Sequence, residues 1–291
     1  MKIAVFGKYF NDEYSSSIQY LFEQLELVEA KIKIYQPFAE YLQSKIEIKS
    51  GFHYFSNASD LNDTDFVFSI GGDGTVLEAA NLVRDTQIPI MGINTGRLGF
   101  LSSIATTEID EAIKAIKTRT YKIDNRTLLE LETNNKLFGN QNFALNELTI
   151  HKKDSSSMIT IHAYVDNSFL NSYWADGLII STPTGSTAYS LSCGGPIIAP
   201  RSGNFVINPV APHNLNVRPL VVPDTSAITL IIEGRAESFL VSLDSRSEII
   251  ESSIELTVKK CDFETKLLRM PDYNYLNTIR GKLNWGLDKR N

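Results

Sequence analysis

The apolar run Phe66-Val67-Phe68-Ser69-Ile70 leads without a spacer into Gly71-Gly72-Asp73-Gly74-Thr75. Five residues of this kind read as a buried strand, and the composition from Thr75 to Asp85 predicts a helix. Glycines between the two permit positive φ and let a ligand approach the backbone. The start of the helix offers unpaired N–H groups and a positive dipole end, which suit phosphate oxygens. In an open α/β sheet such a turn lies outside the carboxyl end of a strand, where ligands bind. The pattern lacks Gly-Lys-Ser/Thr and Gly-x-Gly-x-x-Gly, so it is neither a P-loop nor the usual Rossmann fingerprint. Asp73 is the only acid in the turn. Two roles are open to it, a helix cap or a carboxylate facing a substrate. Its setting between a buried strand and a helix favours the second. The swap Asp73→Asn keeps size and shape, so it is expected to leave the fold and melting temperature nearly intact.

The surrounding residues extend this pattern. Strands are predicted at Lys2 to Gly7, Lys31 to Tyr35 and Ile88 to Ile93, with Ile18, Leu21, Phe22 and Leu25 on one helix face. Strands separated by helices imply a mostly parallel open sheet, so residues 1–105 are expected to form an α/β domain. A bridging helix is predicted from Glu108 to Thr118. Strands then dominate: Arg126 to Thr133, Phe143 to Lys152, Met158 to Asp166, Ser168 to Tyr173, Gly177 to Thr182, Ala227 to Glu233, Ser238 to Leu243 and Ser253 to Lys259. Period-two alternation, as in Ile254, Leu256 and Val258, implies one wet and one buried face. Residues 106–268 are therefore expected to form a β-rich, mostly antiparallel domain. The tail 269–291 reads as a short amphipathic helix, with Trp285 expected to dock, since burial of such a ring is worth roughly 1.5–3 kcal/mol.

Composition removes several classes of function. A net charge of −6 and a pI near 5.4 give no basic footprint for nucleic acid. Cys193 and Cys261 are far apart, which argues against a disulfide framework or structural zinc. No apolar stretch approaches the ~20 residues of a membrane span, and Met1 to Phe10 is not a signal peptide. A cytoplasmic protein is expected. His53, His151, His162 and His213 form no His-Glu-x-x-His or comparable metal set, and no Gly-x-Ser-x-Gly elbow is present.

Two further polar runs follow the first turn. Asn94-Thr95-Gly96-Arg97-Leu98-Gly99-Phe100 comes after the next strand and would lie beside the first turn. Arg97 is either a phosphate ligand or a solvated loop residue, and Phe100 faces either an aromatic ligand or the core. The run Ser181 to Pro196 is dense in hydroxyls and glycine, suited to a sugar, a purine edge or phosphate, with Ser186 or Thr187 as an alternative helix cap. Asn146-Glu147 interrupts an apolar strand, Asp176-Gly177 precedes one and Asp244-Ser245 ends one. Each alone fits a strand-end turn.

In this order, the motifs resemble the NAD kinase family over nearly the whole chain. They are Gly71 to Thr75, Asn94 to Phe100, Asn146-Glu147, Asp176-Gly177 with Thr182 to Pro196, Pro212-His213 with Arg218-Pro219-Leu220, and Arg280 to Gly286. The first motif is shared with diacylglycerol and sphingosine kinases and loosely with phosphofructokinases; the combination is specific. Cys193 stands where a small residue such as Ala is common, and Asp244-Ser245-Arg246 where Asp-Gly-Gln is common.

The resemblance implies an N-terminal α/β domain, a β-rich C-terminal domain, a tail returning to the first, and NAD bound between the domains. Asp73 would approach the 2′-hydroxyl of the adenosine ribose. Gly72 and Gly74 would make room for phosphates, and Asn146 and Glu147 would hold a ribose. Thr184, Thr187, Ala188, Tyr189 and Ser192 would line the adenine and ribose pockets, and Asp176 would reach the nicotinamide side, in many members from a neighbouring subunit. Thr75, Asn94, Arg97, Phe100, Ser186 and Asp244 complete the expected nucleotide-contacting set. The donor would be ATP with a divalent metal ion, Mg²⁺, and a homo-oligomer, dimer or tetramer, is implied. Phosphoryl transfer depends on positioning and charge neutralisation, and a carboxylate suffices as base if the hydroxyl proton leaves late. The competing readings are a lipid or sugar kinase sharing the first turn, and a non-catalytic dinucleotide-binding regulator. The acidic charge and absence of a basic amphipathic helix disfavour membrane substrates.

Overall fold

The computed structural model describes residues 1–47, 51–153, 158–233, 238–251 and 254–286. The chain divides into two compact units, Met1–Asp124 with Lys266–Asn291, and Asn125–Thr265.

The first unit contains β1 (Lys2–Gly7), α1 (Ser15–Leu27), β2 (Lys31–Tyr35), α2 (Gln36–Leu42), β3 (His53–Phe55), β4 (Phe66–Ile70), α3 (Asp73–Val83), β5 (Ile90–Asn94), β6 (Ile104–Ala105) and α4 (Ile109–Thr118). The order β5-β4-β1-β2-β3 is parallel throughout. Parallel strands covered by helices are buried on both faces, which explains why β1 and β4 are apolar without alternation. Helix α1 buries Ile18, Leu21, Phe22 and Leu25, the stripe expected from a 3.6-residue period. Ile70 of β4 pairs with Ile93 of β5, so the two glycine turns leave the same sheet edge side by side. The predicted bridging helix is α4, and its Ile109, Ala112, Ile113 and Ile116 pack into the first unit's core. This packing carries the first unit to Asp124 rather than to residue 105.

The second unit follows with β7 (Lys122–Glu132), β8 (Phe143–Ala144), β9 (Glu147–Lys152), β10 (Ile159–Val165), β11 (Ser168–Ala175), β12 (Gly177–Ser181), α5 (Tyr189–Ser192), β13 (Asn204–Val210), β14 (Leu220–Pro223), β15 (Ile228–Glu233), β16 (Ser238–Leu243), β17 (Arg246–Glu251) and β18 (Glu255–Arg269). The chain enters this unit within β7 and leaves it within β18. One sheet has the antiparallel order β14-β13-β12-β9-β16-β17, and β11-β10-β15-β18 form a second antiparallel set. Inward residues of both, such as Ile161, Leu230, Ile180 and Val241, share one core. The strand expected from Phe143 to Lys152 is broken at residues 145–146. Strands β13, β14 and β17 and helix α2 appear where the sequence pattern predicts none, β18 runs on to Arg269, and Ser253 lies outside the described residues.

Helix α6 (Tyr275–Leu283) belongs to the first unit. Asn274 caps it by accepting the Leu276 N–H at 2.9 Å, and Ile279 is its buried residue. Trp285 does not dock as expected. It lies beyond the helix with 55% of its surface exposed, and Ile279 provides the apolar anchor instead. Among the described residues no helix is long and apolar enough to cross a membrane.

Candidate active site

In the first unit, β4 ends in a turn that only glycine fits. Gly71 has φ 148°, and a Cβ there would lie 2.2 Å from Thr75 Oγ1. Its N–H donates to the Ile93 carbonyl at 2.9 Å, tying the turn to β5. Asp73 is the first residue of α3, yet its carboxylate does not cap that helix. It reaches across to the second loop, where Oδ2 accepts the Phe100 N–H at 2.8 Å. Oδ1 accepts the Leu101 and Ser102 N–H groups at 3.0 and 2.9 Å. A Cβ on Gly99 would stand 1.7 Å from Asp73 Oδ1, so this approach depends on glycine. An ionised carboxylate has about four lone-pair sites. Three are taken, and the remaining one is on Oδ2.

This geometry corrects the expectation for Asp73→Asn. An amide offers one oxygen and one NH₂ group, so at least one loop N–H would face a donor. The fold is not indifferent to the swap.

Gly72 and Gly74 differ from Gly71 and Gly99. A Cβ on either would meet no atom of the chain within 4 Å. Neither has a positive φ. The chain itself does not require glycine at these two positions.

The second loop uses its own Asn94 internally. Asn94 Nδ2 donates to the Arg97 and Ser102 carbonyls at 3.1 and 3.4 Å, and Oδ1 accepts the Gly96 N–H at 2.8 Å. Arg97 is exposed and lines a cavity of about 760 Å³ with Glu108, Tyr273, Asn277 and Lys282. Phe100 is half-buried, with the Lys282 ammonium 5.9 Å from its ring centre.

In the second unit, a second aspartate repeats the device. Asp244, at φ 52°, accepts the N–H groups of Leu145, Asn146 and Glu147 at 2.9, 2.8 and 3.1 Å. Burial pushes Asp244 up from its ordinary range, while these three donors and Arg246 pull it back. Arg246, in place of the expected Gln, donates to the Gln141 and Phe143 carbonyls and lies over the Phe143 ring. Glu147 is 8% exposed, and its Oε2 has no partner in the chain. Burial, then the charge of Asp244, pushes its carboxyl up to about 8. A buried acceptor left open in this way fits a ligand hydroxyl.

The hydroxyl-rich run is stitched to that segment. Thr182 Oγ1 donates to the Leu145 carbonyl at 2.6 Å and accepts the Gly185 N–H at 3.1 Å. A Cβ on Gly185 would lie 2.1 Å from the Asn146 carbonyl. Thr184 is buried and accepts from Arg126 at 3.3 Å. Ser186 donates to Pro183 and accepts from Ile198, and Thr187 donates to Thr184, so both hydroxyls fix the turn. Ala188 is half-buried, and Tyr189 and Ser192 are exposed. Tyr189 lies 5.6 Å from the His151 ring, and Asp176 pairs with Lys152 of its own chain at 2.5 Å. Sequence reasoning misses two buried arginines, Arg126 at 3% and Arg269 at 1% exposure. Their one signal is a cation beside an apolar run, in Arg126-Thr127-Leu128-Leu129 and Leu267-Leu268-Arg269.

Among the described residues no three His, Cys, Asp or Glu side chains come together to hold a metal. A magnesium ion bound mainly through phosphates and water needs few protein carboxylates.

A parallel α/β unit with a glycine–aspartate turn at a helix N-terminus, and a β-rich unit with one buried carboxyl oxygen left without a partner, is an arrangement suited to the class of nucleotide-binding phosphotransferases. Residues 17–121 match the ATP-NAD kinase N-terminal domain and residues 145–270 the ATP-NAD kinase C-terminal domain. The chain belongs to the ATP-NAD kinase family. It is 51% identical over 292 residues to an NAD kinase of Cytophaga hutchinsonii, covering 100% of both chains. An NAD kinase of Bacteroides fragilis is 44% identical, again with 100% of both covered. Among solved structures, an NAD kinase from Archaeoglobus fulgidus in complex with ATP superposes with a TM-score of 0.76 at 25% identity, over 98% of this chain and 99% of that one. The yeast NADH kinase complexed with NADH shares the fold at a TM-score of 0.86 and 24% identity, over 98% and 88%.

Proposed function

We propose that this chain is an NAD kinase that transfers the γ-phosphoryl group of ATP to the 2′-hydroxyl of the adenosine ribose of NAD, giving NADP and ADP. One observation carries the reading. The Asp73 carboxylate is fixed by three N–H groups, keeps one free lone pair on Oδ2, and sits between two glycines that the chain's own packing does not require.

In this reading the 2′-hydroxyl hydrogen-bonds to Oδ2 of Asp73. The hydroxyl oxygen forms a bond to the γ-phosphorus as the bond to the leaving ADP oxygen breaks, and Asp73 takes the proton. The transition state is loose, so a late proton transfer to a carboxylate is enough. Gly72 and Gly74 let phosphate oxygens lie against the N-terminus of α3. A divalent cation, Mg²⁺, bound through the donor phosphates, would supply charge neutralisation. Arg97 and Phe100 border the same turn, as do Thr75 and Asn94, which shape it.

With its carboxyl pushed up to about 8, Glu147 is mostly protonated at neutral pH. It donates to and accepts from a ribose with Asn146 beside it, and Asp244 sets the backbone that carries both. Thr184, Thr187, Ala188, Tyr189 and Ser192 border the adenine and ribose, with Ser186 bracing the turn. Asp176 serves the nicotinamide side of a neighbouring subunit's NAD in a homo-oligomer of the cytoplasm. The test is to incubate the purified chain with ATP, Mg²⁺ and NAD and to assay NADP with an NADP-specific dehydrogenase, which reports the 2′ position. NADP should form, and diacylglycerol, sphingosine and fructose 6-phosphate should stay unphosphorylated. Phosphorylation of a lipid with NAD untouched would overturn the assignment.

A further inference from the structure

The loop that grips Asp73 is itself gripped from its other side. Arg269, at the end of β18, is 1% exposed. Its Nη1 donates to the Leu101 carbonyl at 2.8 Å and to Ser103 Oγ at 2.7 Å. Nη2 donates to the Phe100 carbonyl at 3.0 Å, and Nε faces Asp124 Oδ2 at 3.4 Å. The Tyr273 ring lies 4.4 Å from the guanidinium carbon.

Both carbonyls belong to peptide groups whose N–H ends reach Asp73. The Phe100–Leu101 peptide accepts from Arg269 through its carbonyl and donates to Asp73 Oδ1 through its N–H. The Leu101–Ser102 peptide does the same. Two peptide groups thus join a buried cation to one oxygen of the carboxylate. Hydrogen bonds in series polarise one another. The cation draws on the carbonyls and strengthens the N–H donors, which pins Oδ1 and leaves Oδ2 as the oxygen with a free lone pair.

We propose that Arg269 is a positioning residue for phosphoryl transfer, acting through the 100–102 peptides to aim Asp73 Oδ2 at the substrate hydroxyl. The proposal rests on the assignment of Asp73 as the group that meets that hydroxyl. Lysine cannot replace the arginine, because a single ammonium does not span two carbonyls, a serine and an aromatic face as a planar fork does.

The experiment measures kcat and both KM values for Arg269→Lys and Arg269→Gln, each alone and combined with Asp73→Asn, with melting curves for all. A displacement of the base on the order of 1 Å costs up to roughly a hundredfold. Arg269→Lys should lose roughly tenfold to a hundredfold in kcat, with KM for NAD and ATP within about threefold. In the Asp73→Asn background the same substitution should produce almost no further loss, because the group it aims is gone. A wild-type kcat in Arg269→Lys, a change confined to KM, or losses that multiply in the double variant would overturn the proposal. If Asp73→Asn alone stays as active as wild type, the Asp73 assignment fails first and takes the proposal with it. Should the Arg269 variants not fold, Tyr273→Leu removes only the ring beside the guanidinium. It should lower kcat severalfold in the wild-type background and not in Asp73→Asn; equal losses in both would overturn the proposal.

Discussion

Asp244 accepts the backbone N–H of Glu147 at 3.1 Å, and its charge, after burial, helps push the Glu147 carboxyl up to about 8. One aspartate therefore both shapes the segment and discourages its neighbour from ionising.

This relationship predicts how stability varies with pH. The unfolded Glu147 titrates near its ordinary value of 4.5 and the folded one near 8. Between those values the folded chain holds a proton that the unfolded chain has lost, so this group makes stability fall as pH rises, with the effect complete above 8. Below 4.5 both forms are protonated and the group contributes nothing. Every tenfold difference in proton affinity is worth about 1.4 kcal/mol, so the full penalty is on the order of 4–5 kcal/mol. Glu147→Gln should raise the melting temperature at pH 8 and hardly at all at pH 4.5. An equal gain at both pH values would contradict the assignment.

Gly74 gives a prediction in which stability and activity part. It sits in the first turn of α3 with open space where a Cβ would be. Alanine in a helix is favoured over glycine by roughly 0.5–1 kcal/mol. Gly74→Ala should therefore melt no lower than wild type, while KM for ATP rises as the methyl meets the donor phosphates. A variant with unchanged kinetics would show that no ligand approaches there.

Much of the first unit is legible in the sequence because its signals are local. The continuous apolar strands, the stripe Ile18, Leu21, Phe22 and Leu25, and the turn after Ile70 lie where the pattern puts them. Glu147 also carries a signal, an acid inside an otherwise apolar strand. The long-range bonds do not. Asp73 meets partners 27 to 29 positions away, and Arg269 meets Leu101 168 positions away. No spacing rule encodes such distances, and a lone arginine after an apolar run reads equally well as a side chain stretching to water. Trp285 departs from expectation because size alone does not decide burial, and α6 is anchored by Ile279.

Asp176, which immediately precedes β12, pairs with Lys152 at 2.5 Å within one chain. If that aspartate serves a neighbour's nicotinamide, activity needs an oligomer. Light scattering should give a dimer or tetramer, and specific activity should fall on dilution below its dissociation range. A fully active monomer would remove the shared-site element and leave the chemistry at Asp73 standing.

The most direct test of the account is the turnover of Asp73→Asn. The substitution removes the proton acceptor and sets an amide against at least one of the three loop N–H groups. Loss of a hydrogen bond to a charged group costs about 1.5–3 kcal/mol, so the melting temperature should drop while the chain still folds. General-base steps contribute roughly 10²–10⁴-fold. Measured at a temperature where the variant is folded, kcat for NADP formation should fall by on the order of a hundredfold or more, with KM for NAD changing less. A folded Asp73→Asn enzyme with kcat within a few-fold of wild type would contradict the account.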